Sequence, residues 1–163
     1  MSRAAEPFEP EGIDWHPVSP RLRLARHVVL ALSFGLPTVL LTVGAVVWGG
    51  WSWLAPAILA VVTVWSALLV PRQVRAIGYA EREADLLIRK GVMFRSLVVV
   101  PYGRMQFVDV QAGPLARRCG IAQVQLHTAS PGTDASIPGL SPAEAARVRD
   151  RLAALGEARL AGL

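Results

Sequence analysis

Two hydrophobic patterns divide the chain. From Val28 to Pro71 no residue carries a formal charge, far more than the roughly 20 apolar residues that one membrane-spanning helix needs. The middle of this run is "WGGWSW", Trp48 to Trp53. Glycine breaks helices and tryptophan favours the membrane–water interface. The run therefore predicts two helices, at 28–47 and 54–70, joined by a very short loop. Pro37 predicts a kink in the first, which a membrane helix tolerates when the freed backbone groups find partners. A buried hairpin of a soluble protein explains the run less well, because small soluble domains rarely hold so long an uncharged stretch. A signal peptide also fits poorly, since the apolar run starts late and a second follows at once.

Beyond the hairpin the period shortens to two. "QVRAIGYAERE" (73–83) has strand character, and "ADLLIRKGVMFRSLVVVP" (84–101) reads as a β-hairpin turning at Lys90–Gly91, where glycine admits the positive φ of such turns. In "MQFVDVQ", Val108 and Val110 are expected inward, Asp109 and Gln111 outward. "AQVQLHT" puts Ala122, Val124, Leu126 and Thr128 on one face and Gln123, Gln125 and His127 on the other. The intervening "AGPLARRCG" predicts one small turn of helix. "SPGTDAS" is turn chemistry, followed by a short strand at Ser136–Ile137. Ser141, Pro142 and Glu144 form a helix start with a capping box. Ala145, Val148, Leu152 and Leu155 then give one apolar face, with Gly156 as the stop. The strongly β-forming "SLVVVP" (96–101) is expected to be a central strand; at an edge it would offer a template for a second chain.

Composition agrees with a membrane class: hydrophobic residues make up 53%, and mean hydropathy is +0.40. The formal net charge of +5 is carried almost wholly by arginine, Lys90 being the only lysine. A GC-rich genome produces the same bias, so it is not read as function. Arg21, Arg23 and Arg26 precede the hairpin, Arg72 and Arg75 follow it, and its loop has no cation. The positive-inside rule then puts both termini in the cytoplasm. The single cysteine, Cys119, forms no internal disulfide and fits a reducing compartment. The acid- and proline-rich residues 1–20 read as a disordered tail. The expected organisation is tail 1–20, transmembrane hairpin 21–71, and soluble part 72–163, long enough for one core.

Several short patterns recur together after the hairpin: Leu86, Ile88 and Gly91 in the first β-hairpin; Pro101, Arg104 and Gln106 in "VPYGRMQ"; Gly113, Pro114, Leu115 and Gly120 in "GPLARRCGIA"; Thr128 in "HTAS"; and Gly139 with Leu140 before the last helix. In combination, over residues 20–155, they resemble the bacterial pleckstrin-homology-like (PH) membrane proteins of the YdbS-like family. Gly103 and Met105 depart from the larger strand-forming residues the pattern favours. The resemblance implies an α+β membrane protein in which a two-helix transmembrane hairpin precedes a PH-like antiparallel β domain capped by a C-terminal α-helix. It implies no enzyme activity, supplies no catalytic residues, and points to a larger PH-like membrane protein as a partner.

The candidate chemistry is sparse. Glu81, Glu83 and Asp85 cluster, but a hard cation needs a cage of oxygen ligands, and a solvated turn facing arginines is the expectation. His127 and Ser130 are near in sequence without a visible base–orienter arrangement. Cys119, beside Arg118, reads as an inert thiol despite the cation. One cysteine and three histidines make no zinc pattern. Catalytic, cofactor and metal residues are therefore expected to be none. The candidate lipid or partner contacts are Arg72, Arg75, Arg104, Arg117 and Arg118, since basic residues near a bilayer attract anionic lipid. Nucleic acid is not expected, because basic residues are not interleaved with aromatics on one face. The sequence thus points to a non-enzymatic binding or scaffold module at the cytoplasmic face of the inner membrane, engaging the bilayer and another membrane protein or a second copy of itself. The alternative is an anionic head-group reader.

Overall fold

The computed structural model describes residues 12–128 and 134–160. Expectations about residues 1–11 of the tail, Ser130, and most of the turn at 130–136 fall outside these. The chain divides into two compact units, one of residues 23–72 and the other built from the segments on either side of it.

The helical unit follows from the uncharged run. Two helical stretches, Arg21–Trp48 and Gly50–Arg75, are long and apolar enough to cross a membrane. The first comprises α1 (Arg21–Leu30), a π-helical stretch at Ala31–Gly35 and α2 (Leu36–Trp48). The π stretch lies just before Pro37, where the missing N–H and the ring disturb the i→i−4 ladder. Thr38 Oγ1 donates to the Phe34 carbonyl at 2.6 Å and Thr42 Oγ1 to the Thr38 carbonyl at 2.8 Å. Their hydroxyls are thus satisfied within the helix, as lipid surroundings require. Gly49 and Gly50 both take positive φ at the turn, and Ser52 Oγ closes it on the Gly49 carbonyl at 2.7 Å. α3 spans Leu54–Arg75 with Pro71 inside it. The end expected at residue 70 is passed: the helix runs on through Pro71 to Arg75.

The second unit holds two antiparallel sheets and a terminal helix. Sheet order is β1-β2-β3-β4 and β5-β6-β7. β1 (His16–Pro17) precedes the helical unit in sequence, yet pairs with β2 (Gly78–Glu81) that follows it, His16 opposite Tyr79 and Pro17 opposite Gly78. Residues 12–20 therefore differ from the disordered tail expected of them: Val18 is buried, and Trp15 lies under the Arg89 guanidinium at 4.6 Å, a cation–π contact. Residues 73–75 are helical, so the strand read at 73–83 shrinks to β2.

β3 (Asp85–Lys90) and β4 (Ser96–Pro101) form the expected hairpin, with Asp85 opposite Pro101 and Lys90 opposite Ser96. Gly91 makes the turn at φ +99°, where a Cβ would overlap the Phe94 carbonyl. β4 is an edge strand, correcting the central position expected for "SLVVVP". A short 3-10 turn, Tyr102–Arg104, leads to β5 (Met105–Gln111), so Gly103 sits in a turn and not in a strand. α4 (Pro114–Arg118) is the small helix of the insert. β6 (Ala122–Thr128) alternates as read, with Ala122, Val124, Leu126 and Thr128 buried. β7 (Ala135–Leu140) is longer than expected and carries Pro138, acceptable because the strand lies at the sheet edge.

α5 (Pro142–Leu160) starts at Ser141, whose Oγ accepts from the Glu144 N–H at 3.2 Å. Ala145, Val148 and Leu152 bury its apolar face. Gly156 is not the stop: it lies inside the helix, where a Cβ would come 3.9 Å from Met105 Cε and 4.0 Å from the Tyr102 carbonyl. The core is Leu86, Ile88, Val124, Leu126, Ile137, Val148 and Leu152, all essentially inaccessible. Each is inward through the period of its own element.

Candidate functional site

Strand register defines two ends of the β domain. Pro17 and Gly78 face each other, and Gly78 pairs with Arg89. Through these positions the chain runs into and out of the helical segment. Nearby, the Ser19 N–H donates to the Gly139 carbonyl at 2.8 Å, and Leu22 lies so close to Gly139 that a Cβ there would sit 2.8 Å from Leu22 Cδ2. Ala122 pairs with Leu140 and Gln123 with Gln111, which brings α4 to this end as well. The opposite, far end holds the turn after Glu81, the Tyr102–Arg104 turn, and Thr128.

The five sequence-predicted arginines are not one patch. Arg117 and Arg118 are exposed in the last turn of α4, at the chain-exit end. Arg21 joins them: its Nη1 would be 2.8 Å from a Cβ on Gly120. Arg104 is at the far end, separated from α4 by the whole of β5; seven residues at ~3.4 Å each make roughly 24 Å. This corrects its grouping with Arg117 and Arg118. Arg72 and Arg75 are exposed in the last turn of α3, Arg72 in the helical unit and Arg75 in the domain unit. Arg89, Lys90 and Arg95 belong to the exit end by register. The sequence reading missed them because only the β3–β2 pairing shows which end of the sheet the hairpin turn occupies.

The acids have other work. Glu81 was expected in a solvated turn, yet its side chain is only 6% exposed. It accepts from Arg147 Nη2 at 2.9 Å and faces Arg151 Nε at 2.8 Å. Arg147 also donates to Glu144 Oε1 at 2.8 Å, and Tyr79 OH donates to the same oxygen at 2.5 Å. Arg147 and Tyr79 hold the Glu144 carboxyl down at about 2, while burial and then Glu144 raise the Tyr79 phenol well above its usual range. Burial, then the Glu81 charge, pushes Tyr102 up to about 12; its OH donates to the Arg82 carbonyl at 2.9 Å. The network fastens α5 to β2. Spacing hinted at it, since Glu144, Arg147 and Arg151 share one helix face.

His127 stacks on Phe107 with centroids 4.2 Å apart, and its Nδ1 lies 3.2 Å from Asp134 Oδ2. Cys119 is half-buried at the end of α4. Among the described residues, no three His, Cys, Asp or Glu side chains come together as a metal cage would require.

Comparison with known proteins agrees with this architecture. The chain is 38% identical over 77 residues to the UPF0699 transmembrane protein YdbS of Bacillus subtilis (strain 168), a match covering 47% of each chain. The chain thus spans about half the length of that relative in the matched region. No solved structure matches. The bacterial PH domain family matches residues 28–156, the greater part of the chain. Two apolar helices, two antiparallel sheets and a capping helix, together with that match, make this chain a member of the bacterial PH domain family, a YdbS-like membrane protein with two spans.

Proposed function

We propose that the protein is a membrane-anchored, non-enzymatic binding module whose β domain, on the cytoplasmic face of the inner membrane, engages another membrane protein or a second copy of itself. The observation that carries this reading is β4. Among the described residues it pairs with β3 alone, and Val99 on it is exposed. An edge of unpaired N–H and C=O groups accepts an added strand. The domain is tied at both Leu22 and Gln73 to the helical segment, so its encounters are with other molecules at the same membrane. Cytoplasmic termini follow from Arg21, Arg23, Arg26, Arg72 and Arg75 flanking an uncharged loop.

The test is purification of tagged full-length protein from native membranes in mild detergent, comparing the wild type with Val99→Pro. Proline removes a backbone donor from β4 and resists strand addition. A stoichiometric membrane partner, or a dimer, lost in the variant is the expected result. A protein that emerges alone and monomeric overturns the reading. Anionic head-group binding is the second reading, favoured by the cations at the exit end: Arg21, Lys90, Arg117 and Arg118. It predicts that replacing Lys90 and these arginines shifts the preference of the reconstituted protein for phosphatidylglycerol in a salt-dependent way.

A further inference from the structure

Among the described residues, the β3–β4 turn is the most apolar exposed loop of the β domain. Val92 is 41% exposed, Met93 81% and Phe94 86%. They are consecutive, and cations bracket them: Lys90 ends β3 and Arg95 precedes β4. Three consecutive exposed apolar side chains at a turn are unfavourable in water, and such patches mark contact surfaces.

Register says which surface. Gly78 pairs with Arg89, and Pro17 pairs with Gly78. The turn therefore extends beyond the row Pro17–Gly78–Arg89, from the end of the sheet at which both connections leave for the spans. α3 ends at Arg75, three residues before Gly78. The opposite turn of the same sheet, between β2 and β3, reads Arg82–Glu83–Ala84. One sheet thus presents a polar turn at its far end and an apolar one at its exit end. Chance would not place the apolar turn at the exit end more often than at the other, whereas a bilayer at that end explains both.

We propose that the Gly91–Arg95 turn is a peripheral membrane contact. Val92, Met93 and Phe94 enter the interface of the bilayer that the two spans cross, and Lys90 and Arg95 meet lipid phosphates at its surface. The division of labour is that of interfacial anchors, with apolar side chains in the acyl boundary and long cationic ones reaching back to the head groups. With the spans, this contact gives the domain a third point of attachment. The proposal rests on the spans and on neither reading of what the domain binds.

The test uses the full chain in lipid nanodiscs containing phosphatidylglycerol. In a Cys119→Ser background, Met93→Cys and, separately, Phe94→Cys carry an environment-sensitive fluorophore; Ala84→Cys, at the far end, is the reference. Lipids bearing a shallow nitroxide are expected to quench the labels at 93 and 94 several-fold more than the label at 84, with blue-shifted emission. Quenching equal to that at 84 overturns the proposal. So does a blue shift without lipid quenching that disappears at one protein per disc, which would assign the turn to a protein contact. No partner enters this readout, so its failure is distinct from failure of the binding-module reading.

Discussion

The two units solve the same problem in opposite ways. In the helical unit the apolar side chains face outward: Leu40, Val46 and Val61 are all exposed, while its threonine hydroxyls turn back onto carbonyls four residues earlier. In the β domain the same residue types build a closed core, Leu86, Val124 and Val148 among them, and polar groups find partners far away in sequence, such as Tyr79 with Glu144 and Glu81 with Arg147 and Arg151. One unit satisfies its polar groups locally because lipid offers no substitute. The other relies on long-range pairs because its core must be closed by elements distant in the chain. Substitutions should therefore act through solvent compatibility in the first unit and through lost partners in the second.

The largest effect is expected from stranding the buried carboxylate. Arg147→Met with Arg151→Met leaves Glu81 buried without its cations and should cost about 3–5 kcal/mol. Chemical denaturation of the full chain in detergent checks this, and Glu81→Gln should cost much less, because both arginines already reach solvent. A domain indifferent to the double change would mean that the network is not what joins α5 to β2.

Next comes the helical unit. Leu40→Arg places a charge on an exposed apolar face and should raise the insertion free energy by about 3 kcal/mol, whereas Leu40→Ile should insert normally. The inserted fraction in a membrane-integration assay reads this out. Equal insertion would break the contrast between the two units.

Gly139→Ala tests where the segment before the hairpin docks. Gly139 has φ +73°, and a Cβ would lie 2.8–3.1 Å from the Leu22 side chain. Backbone strain plus the clash should cost about 2 kcal/mol. Adding Leu22→Ala should recover the clash component but not the strain, visible as a partial return of the melting temperature.

The smallest effect is a pH dependence. Glu144 is held at about 2 against its ordinary 4.5. Its contribution is fully present above pH 4.5 and is lost as pH falls through about 2. Because the group is partly exposed, this amounts to under about 1 kcal/mol. Glu144→Gln should flatten the stability curve across that window, as measured by denaturation at fixed salt.

Much of this was legible in the sequence. The uncharged run gave both helices and their Trp-Gly loop, because a bilayer's thickness and dryness constrain local composition directly. Alternation in "AQVQLHT" and the start at Ser141 likewise depend on neighbours two to four residues away. Partners far off in the chain were not legible. Nothing local in "DWHP" says that His16 and Pro17 will pair across the hairpin with Tyr79 and Gly78. Glu81 looks like any acid near a turn until α5 brings Arg147 and Arg151 onto it. Gly156 looks like a helix stop, yet α5 runs through it to Leu160, with Met105 and Tyr102 at ordinary contact distance. Arg104 and Arg117 are near in sequence, yet β5 carries them to opposite ends.

The sequence by itself thus determined which segments live in lipid, which alternate as strands and where the last helix begins, since periodicity and transfer energy act residue by residue. Only the tertiary structure decided that the segment before the hairpin completes the first sheet, that β4 is an edge, and that the apolar turn at Val92–Phe94 shares an end with the membrane connections. Strand order and register are set by packing between residues far apart in the chain, and no local pattern encodes them.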